Sequence, residues 1–490
     1  RSEIYRRNLE LVSSRVQTMG FAGFFAFPVK YIPIGHESGL NQCPALISTK
    51  ATVMETIPEK ATHQKALKKR LISHQVGKAW KSFKKGAISC FSFMGPMGLS
   101  YLPKMYSDAF ALTRPVPHPA SEAMGKKIHD QRDISLEPGQ YGNHQVGITL
   151  EDQIQMAHSA LRAMSLTSNF ARLVLIAGHG STSVNNPHAT GLDCGACGGH
   201  TGEANARLAA RVLNNPEVRK GLTKQGIVIP GETHFLAALH DTTTDEVALF
   251  NEKEIPESHR NDITELKKWL ALAGKASRTE RVTRFQSEGR KNADKAILHR
   301  SKDWSQVRPE WGLAGCNTFV VAPRERTSHL DLGGKSFLHS YNWKSDEDFG
   351  VLELIMTAPM IVTSWINLQY YASVVDNQHF GSGNKTLHNI TGGIGVLEGY
   401  SGDLRVGLPW QSVHDGIQFQ HLPQRLNVII EAPLEAMNAV LKKHPMVQNL
   451  CDNGWINLLA MNEQGQVAHI YQGNLQWEAI HQRKKEELVA

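Results

Sequence analysis

Histidine and cysteine side chains are concentrated in one glycine-rich segment, residues 178–202, which begins where an apolar run ends. His179 stands near its beginning, and Cys194, Cys197 and His200 stand near its end. Zinc prefers imidazole nitrogen and thiolate sulfur as ligands, and a rigid strand end followed by a glycine-rich loop can bring such groups together. The segment is therefore the best candidate for a metal site in the chain.

Spacing leaves several interpretations of this segment open. His179 could simply hydrogen-bond the loop, and Cys194 and Cys197 form a C-x-x-C pair that could be redox-active. A closed zinc site would use His179, Cys194, Cys197 and His200. An open site would use His179 and Cys194 together with ligands from another strand end, which leaves a position for water.

A second apolar run, residues 235–240, also ends in polar side chains. It closes with His240, and Asp241 and three threonines follow. Strand, glycine-rich loop, helix and strand form the unit of a parallel sheet, in which sites lie at the carboxyl edge. We therefore expect His240 and Asp241 to lie near His179, as groups that orient a ligand or transfer a proton.

The order of predicted elements indicates an α/β protein with a parallel-sheet core, a large mixed insertion and a loop-rich carboxy-terminal region. A helix is predicted over residues 1–20 and a short buried strand over 21–27. The predicted segments are the start of the core (1–30), a mixed insertion (31–150), the second half of the core (151–250) and a helical and loop-rich region (251–490).

Composition narrows the class of protein. The chain has 490 residues, of which 41% are apolar and 20% charged, as is ordinary for globular protein. Six cysteines are too few for a disulfide scaffold and are typical of a reducing compartment, so we expect a cytoplasmic location.

The longest apolar stretch, residues 351–375, is interrupted by Glu353 and Pro359. These interruptions favour a buried helix over a membrane span, with docking on a partner as the alternative.

The net charge of +7 comes from one segment, residues 60–85, which contains nine Lys and Arg residues and no acidic residue. Apolar side chains recur within it at helical spacing, at Ile72, Val76, Ala79, Trp80 and Phe83. The pattern predicts a basic amphipathic helix. Such a helix could meet anionic lipid or nucleic acid, or it could present an ordinary solvated face over a core stripe.

Several longer motifs run in order over nearly the whole chain. They are GHG at 178–180, LDCGAC at 192–197, WSQVRPEWGLA at 304–314, APR at 322–324, FLHSY at 337–341, FGSG at 380–383, DLRVGLP at 403–409 and QS at 411–412. Together they resemble the DabA family of inorganic-carbon transporter subunits. The fold that this resemblance implies is a core similar to that of β-type carbonic anhydrases.

The resemblance also implies a zinc site, with Zn²⁺ as the cofactor. The family's site takes a Cys and an Asp from a C-x-D-x-R strand end and a His and a Cys from a second strand end, and His179 and Cys194 match the second pair. The opening Arg1-Ser2-Glu3 is similar to the end of the first motif. Arg1 would then pair with the ligand aspartate and gate the site. We expect the Cys and Asp to lie upstream of Arg1 in a longer protein.

The implied function is hydration of CO2 to bicarbonate by a zinc-dependent subunit of an energy-coupled uptake complex. Its implied partner is a DabB-type, proton-conducting membrane subunit, and its implied location is the cytoplasmic face of the inner membrane, as a peripheral protein. No nucleic-acid partner is expected. The rival interpretations are a freestanding soluble β-type carbonic anhydrase and a zinc-ribbon protein that binds nucleic acid through the basic helix.

Overall fold

The structure is a computed structural model. It describes residues 2–44, 47–49, 51–95, 97–110, 112, 124–129, 131–182, 198–285, 292–302, 312–384, 388–391, 395–398, 403–405 and 407–480. Helices and strands are interspersed along the whole chain, and several of the sheets contain parallel strands. The predicted α/β class is therefore confirmed.

The helices range in length from one turn to seven turns. In chain order they are α1 (Ser2–Val12), α2 (Lys60–Lys85), α3 (Ser89–Met94), α4 (Leu102–Ala109), α5 (Lys126–His129), α6 (Leu150–Ala163), α7 (Glu203–Asn214), α8 (Pro216–Lys224), α9 (Arg260–Val282), α10 (Ala293–Arg300), α11 (Gly350–Thr357), α12 (Pro359–Val375), α13 (Asn377–Phe380), α14 (Leu434–Lys443) and α15 (Pro445–Asp452).

The strands are short. In chain order they are β1 (Val29–Ile32), β2 (Leu40–Asn41), β3 (Ala51–Thr56), β4 (Asp133–Ser135), β5 (Gly139–Tyr141), β6 (His144–Val146), β7 (Leu173–Gly180), β8 (His234–Asp241), β9 (Glu246–Leu249), β10 (Thr318–Ala322), β11 (Ser336–Ser340), β12 (His388–Thr391), β13 (Gly395–Glu398), β14 (Leu426–Glu431), β15 (Ile456–Met461), β16 (Val467–Gly473) and β17 (Gln476–Ala479).

The chain divides into two compact units. One comprises Arg1–Ala22, Ser159–Thr167 and Trp311–Ala490, and the other comprises Gly23–His158 and Ser168–Glu310. The four segments predicted from the sequence are a different division and stay a prediction.

The second unit contains the elements around the candidate site. Its larger sheet has the order β2-β1-β3-β4, with β1 and β3 parallel, and a separate sheet has the order β7-β8-β9, with β7 and β8 parallel. Helix α7 packs against β7 and β8. This helix ends at Asn214 because Asn215 precedes a proline, takes an extended conformation and caps α8 by accepting a hydrogen bond from Glu217 N.

The first unit contains a six-stranded sheet in the order β11-β10-β14-β15-β16-β17, whose first four strands are parallel. Strand residues such as Val428 and Ile430 form one core with Met437 and Leu441 of α14. The expectation of a loop-rich carboxy-terminal region was therefore wrong for this part of the chain. The strands are short, and the glycine-rich and asparagine-rich connections between them dominate the local composition.

The predictions for the first thirty residues also need correction. The first helix ends at Val12 rather than at Gly20, and residues 23–25 form a 3-10 turn where a strand was predicted. Gly20 instead runs beside β11, where its N–H donates to Ser340 Oγ at 3.0 Å and a Cβ would collide with the carbonyl of Leu338. An edge contact with a distant strand, which the local pattern does not encode, therefore fixes this segment.

One described segment, Gly350–Val375, is apolar and long enough to cross a membrane by length and composition, with a mean hydropathy of 1.5 and half of its most apolar window buried. It consists of α11 and α12, which are interrupted at Ala358, directly before Pro359. Leu352 and Met356 belong to the core of the six-stranded sheet. Core helices pass the same test, so length and composition are weak evidence for a membrane span.

Two leucines on α11 test this packing. Leu352 is completely buried, whereas Leu354 is 38% exposed. Leu352→Ala is expected to lower the free energy of unfolding by about 2–5 kcal/mol, because it leaves a cavity in the core. Leu354→Ala, the matched control, is expected to cost less than about 1 kcal/mol. Urea unfolding of the chain measures both, and equal small losses would contradict burial of α11 in this core.

Candidate functional site

The carboxyl ends of β7 and β8 meet at one sheet edge, as the sequence predicted. The two strands are parallel and in register, with His179 opposite His240 and Gly180 opposite Asp241. His179 is exposed, whereas His240 is only 8% exposed. The edge therefore brings one accessible and one buried imidazole side by side.

The chain returns to this edge directly after the segment that carries the cysteines. The backbone N–H of Gly202 donates to His179 O at 2.8 Å. A Cβ at Gly178 would collide with the backbone of Gly202, so both positions need glycine for this close approach. Two of the glycines around the candidate ligands, Gly178 and Gly202, thus have a geometric cause.

The structure places some of the predicted site residues together and leaves others outside the described residues. His179, His240 and Asp241 lie together at the strand edge. Arg1 and Cys194 lie outside the described residues, as does Cys197, while His200 is half-buried two residues before Gly202. Among the residues that the structure describes, no group of three or more His, Cys, Asp or Glu side chains could hold a metal ion.

Asp241 holds two loops together at the edge. Its Oδ1 accepts from the backbone N–H of Thr243 at 2.9 Å, and its Oδ2 accepts from Thr182 Oγ1 at 2.5 Å. Thr182 N–H in turn donates to Thr243 Oγ1 at 3.1 Å. The carboxylate therefore fixes Thr182, the last described residue before the segment that carries Cys194.

His240 is held by a buried carboxylate that the sequence interpretation did not select. His240 Nε2 lies 3.1 Å from Asp245 Oδ1, and Arg281 Nη2 lies 2.7 Å from Asp245 Oδ2. All three side chains are at most 10% exposed. An Asp–His pair of this kind fixes the orientation and the tautomer of the imidazole.

Helix α9 supports the turn in which Asp245 lies. Arg278 Nη1 donates to Thr244 O at 2.7 Å, and Arg281 Nη2 donates to Thr243 O at 2.9 Å. Asp245 takes a positive φ of 55°, which strains a residue other than glycine, so these contacts stabilise a conformation that the turn alone would disfavour. The polar run 241–245 was the sequence signal for Asp245, but nothing local indicated Arg278 or Arg281.

A buried ionic cluster fixes the other end of the same loop. Glu203, in the first turn of α7, accepts from Arg132 Nη2 at 2.6 Å and from Arg207 Nε at 3.0 Å. Arg132 Nη1 also donates to Glu55 Oε1 at 2.6 Å, and Arg70 Nη1 donates to Glu55 Oε2 at 3.0 Å. The cluster therefore ties the start of α7 to β3 and α2.

In this cluster, attraction between opposite charges outweighs the effect of burial on the pKa values of Glu203 and Arg132. Removal from water by itself would raise the pKa of Glu203, but the attraction of Arg132 and Arg207 outweighs it and lowers the pKa to about 2. The same interactions raise the pKa of Arg132, against the effect of its burial. Both groups consequently stay charged at neutral pH.

A model of the family described as "Probable inorganic carbon transporter subunit DabA" matches residues 1–456. The chain belongs to the DabA family. Proteins of that name from Roseiflexus castenholzii and Chloroflexus aurantiacus are each 56% identical to it, over 481 and 482 residues. One named "Probable inorganic carbon transporter subunit DabA 1" from Bradyrhizobium sp. strain ORS 278 is 52% identical over 482 residues. No solved structure matches the chain.

These alignments cover 98% of this chain but only 57–58% of each of the three relatives. The chain thus spans less than two thirds of the length of the DabA proteins it matches. The match to the DabA model includes the strand edge, the loop that carries Cys194 and the ionic cluster.

The residues of this DabA member fit a metal ligand set in their chemistry and in the support around them. An imidazole on an exposed strand end and a thiol in the sequence segment that follows are donors that zinc prefers. Asp241 fixes the beginning of that loop, while the Gly202 N–H and Glu203 fix its end. By donor chemistry, His179 and Cys194, together with the neighbouring Cys197 and His200, are the residues of this segment that could hold such an ion.

The ionic cluster generates a stability prediction. Glu203→Gln is expected to lower the free energy of unfolding by about 3 kcal/mol at neutral pH, because Arg207 loses its carboxylate partner and Arg132 keeps only Glu55. Since the folded pKa of Glu203 is lowered to about 2 from 4.5, its contribution is present above about pH 4.5 and is lost as pH falls towards 2. Urea unfolding of the wild-type chain should therefore lose more stability over that range than the variant does.

Glu217→Gln is the matched control, since Glu217 forms an ion pair with Lys220 in which both side chains are more than half exposed. Its cost is expected to stay below about 0.5 kcal/mol at every pH tested. If the two variants have the same stability and the same pH dependence, Glu203 is not a buried, charged member of the cluster.

Proposed function

We propose that this chain is the part of a DabA-type subunit that supplies His179 and Cys194 to a zinc site similar to that of β-type carbonic anhydrases. The complete protein would hydrate CO2 to bicarbonate within an inorganic-carbon uptake complex. The observation that carries this proposal is the paired end of β7 and β8, with His179 opposite His240, in a member of the DabA family. A core similar to β-type carbonic anhydrases is part of the same proposal.

Zinc bound there would supply Lewis acidity, which brings the pKa of water to about 7 and makes hydroxide available at neutral pH. In the open arrangement, a Cys and an Asp from the part of the protein that precedes Arg1 would complete the ligand set. Arg1 would pair with that Asp and hold it away from the position that water needs. These roles come from the resemblance of the motifs.

The chain's own residues have three tasks in this proposal. Asp241 and Glu203 hold the two ends of the loop that carries Cys194, through the contacts described above. His240 accepts or passes on the proton that hydration of CO2 releases, and Asp245 keeps its ring oriented for that transfer. Arg281 neutralises the carboxylate of Asp245.

The names of the relatives describe a subunit of a transporter, which supports the presence of partner subunits. The partner we propose is a DabB-type membrane subunit that conducts protons. Movement of the proton released by hydration would make the reaction one-way and favour accumulation of bicarbonate. The complex would lie at the cytoplasmic face of the inner membrane, with this chain as a peripheral component.

Zinc content and uptake of the full-length protein test the ligand assignment. His179→Ala and Cys194→Ala are expected to abolish both bound zinc and CO2-dependent uptake, because each removes one of the ligands of an open site. Cys197→Ala and His200→Ala serve as matched local controls and are expected to retain stoichiometric zinc. If either control loses zinc as completely as Cys194→Ala does, the site is the closed local set and the hydration mechanism proposed here is wrong.

A second prediction concerns Asp245. Asp245→Asn is expected to reduce uptake by about tenfold or more while zinc content stays at the wild-type value, because the imidazole loses its orienting carboxylate. Glu246→Gln, which changes the adjacent exposed carboxylate, is the control and should leave uptake unchanged. Full uptake by Asp245→Asn would show that His240 has no part in proton transfer.

A further inference from the structure

The basic helix α2 takes part in the core only near its beginning. Its buried residues are Ala66 and Arg70, and Ala66 packs in a small cluster with Ile34 and Ile57. Beyond Arg70, helix α2 and the short helices α3 and α4 form what we call the arm, residues 71–112. The sequence interpretation of a core stripe on α2 does not hold there, because Ile72 and Val76 are 60% and 62% exposed.

The arm has an aromatic cluster of its own. Trp80 stacks on Phe83 with ring centroids 5.6 Å apart, and Phe93 contacts both rings edge-on. Tyr101 adds a further edge contact to Phe93, and Lys84 Nζ lies 5.0–5.4 Å from the ring centroids of Trp80, Phe93 and Tyr101. These contacts join α2 to α3 and to the turn before α4.

The outside of the arm is unusually apolar. Nine large aliphatic, methionine or phenylalanine side chains on it are between 56% and 86% exposed: Ile72, Val76, Ile88, Phe91, Met94, Leu99, Met105, Phe110 and Leu112. Soluble proteins seldom expose contiguous apolar surface of this extent unless the surface binds something. The arm therefore has the composition of a docking surface.

Charge distinguishes among the possible occupants. The arm contains five lysines, Lys78, Lys81, Lys84, Lys85 and Lys104, and its one acidic residue, Asp108, pairs with Lys104. Four more exposed lysines lie on the first half of α2. A second copy of this surface would therefore be repelled, whereas an anionic partner would be attracted.

The apolar side chains then separate a lipid surface from other anions. Phe91, Met94 and their exposed neighbours on the arm gain nothing against the phosphates of nucleic acid, but they gain burial at the boundary between headgroups and acyl chains. Trp80, Tyr101 and lysine are side chains typical of that boundary. An anionic bilayer can bind both the exposed apolar side chains and the lysines of the arm.

We propose that the arm docks on the surface of an anionic lipid bilayer, with its apolar tip between the headgroups and its lysines against the lipid phosphates. This deepens the peripheral location in the proposed function, yet it requires neither zinc nor a protein partner. Zinc content of the full-length protein, measured separately, therefore distinguishes failure of the site from failure of this proposal, which flotation measures.

Vesicle flotation tests the proposal. The chain is expected to float with vesicles of phosphatidylcholine and phosphatidylglycerol, and to float far less with phosphatidylcholine alone. Raising the salt to about 0.5 M should release most of it, because the Debye length falls to about 4 Å. Absence of flotation with the anionic vesicles would overturn the proposal and assign the surface to a protein partner.

Two double variants separate the charged and the apolar contributions. Lys81→Gln with Lys85→Gln is expected to lower the partition coefficient more than tenfold, since each lysine near an anionic surface contributes about fivefold. Phe91→Ser with Met94→Ser is expected to lower it by at least tenfold through lost apolar burial.

The matched controls lie elsewhere on the surface: Lys224→Gln with Lys275→Gln for charge, and Val228→Ser with Met446→Ser for apolar exposure. They should bind as the wild type does. If the Phe91 and Met94 variant binds vesicles fully while the lysine variant loses binding to vesicles and to DNA alike, the arm binds polyanions in general and lipid insertion is wrong. Equal binding by all four variants would also overturn the proposal.

Discussion

Buried charge is the constraint on which the candidate site depends. Glu203 and Glu55 are removed from water, and each is stabilised by contact with buried guanidinium groups, Arg132 being shared between them. An isolated ion in this position would cost several kcal/mol, so these side chains can be buried only together. Because Glu203 opens α7, the cluster determines where that helix begins and where the loop before it must end.

The beginning of the same loop is fixed by shorter-range contacts. Asp241 connects the turn after β8 to Thr182, and the parallel register aligns His240 with His179. A second buried charge pair, Asp245 with Arg281, fixes the His240 ring through its contact with Asp245. Thr182 and Glu203, which flank the segment with the proposed thiolate ligand, therefore belong to elements whose positions follow from paired charges and strand register.

Elsewhere in the molecule, apolar side chains are buried in one region and exposed in another. The first unit obtains its core from a sheet whose parallel strands are covered by apolar helices such as α11 and α14. The arm contrasts with it, because many of its large apolar side chains, such as Ile72 and Phe91, are exposed. Apolar sequence at helical spacing thus has opposite consequences in α11 and in the second half of α2.

The sequence by itself determined the family, the α/β class, the basic helix over 60–85 and the strand edge at which His179, His240 and Asp241 meet. Each of these depends on local period or on motifs that are contiguous in the chain. Only the tertiary structure decided that Arg281 faces Asp245, that Arg132 joins Glu55 to Glu203, and that Ile72 and Val76 on α2 are exposed. Those outcomes depend on which distant segment packs against each face, and the spacing of residues within a segment carries no information about that.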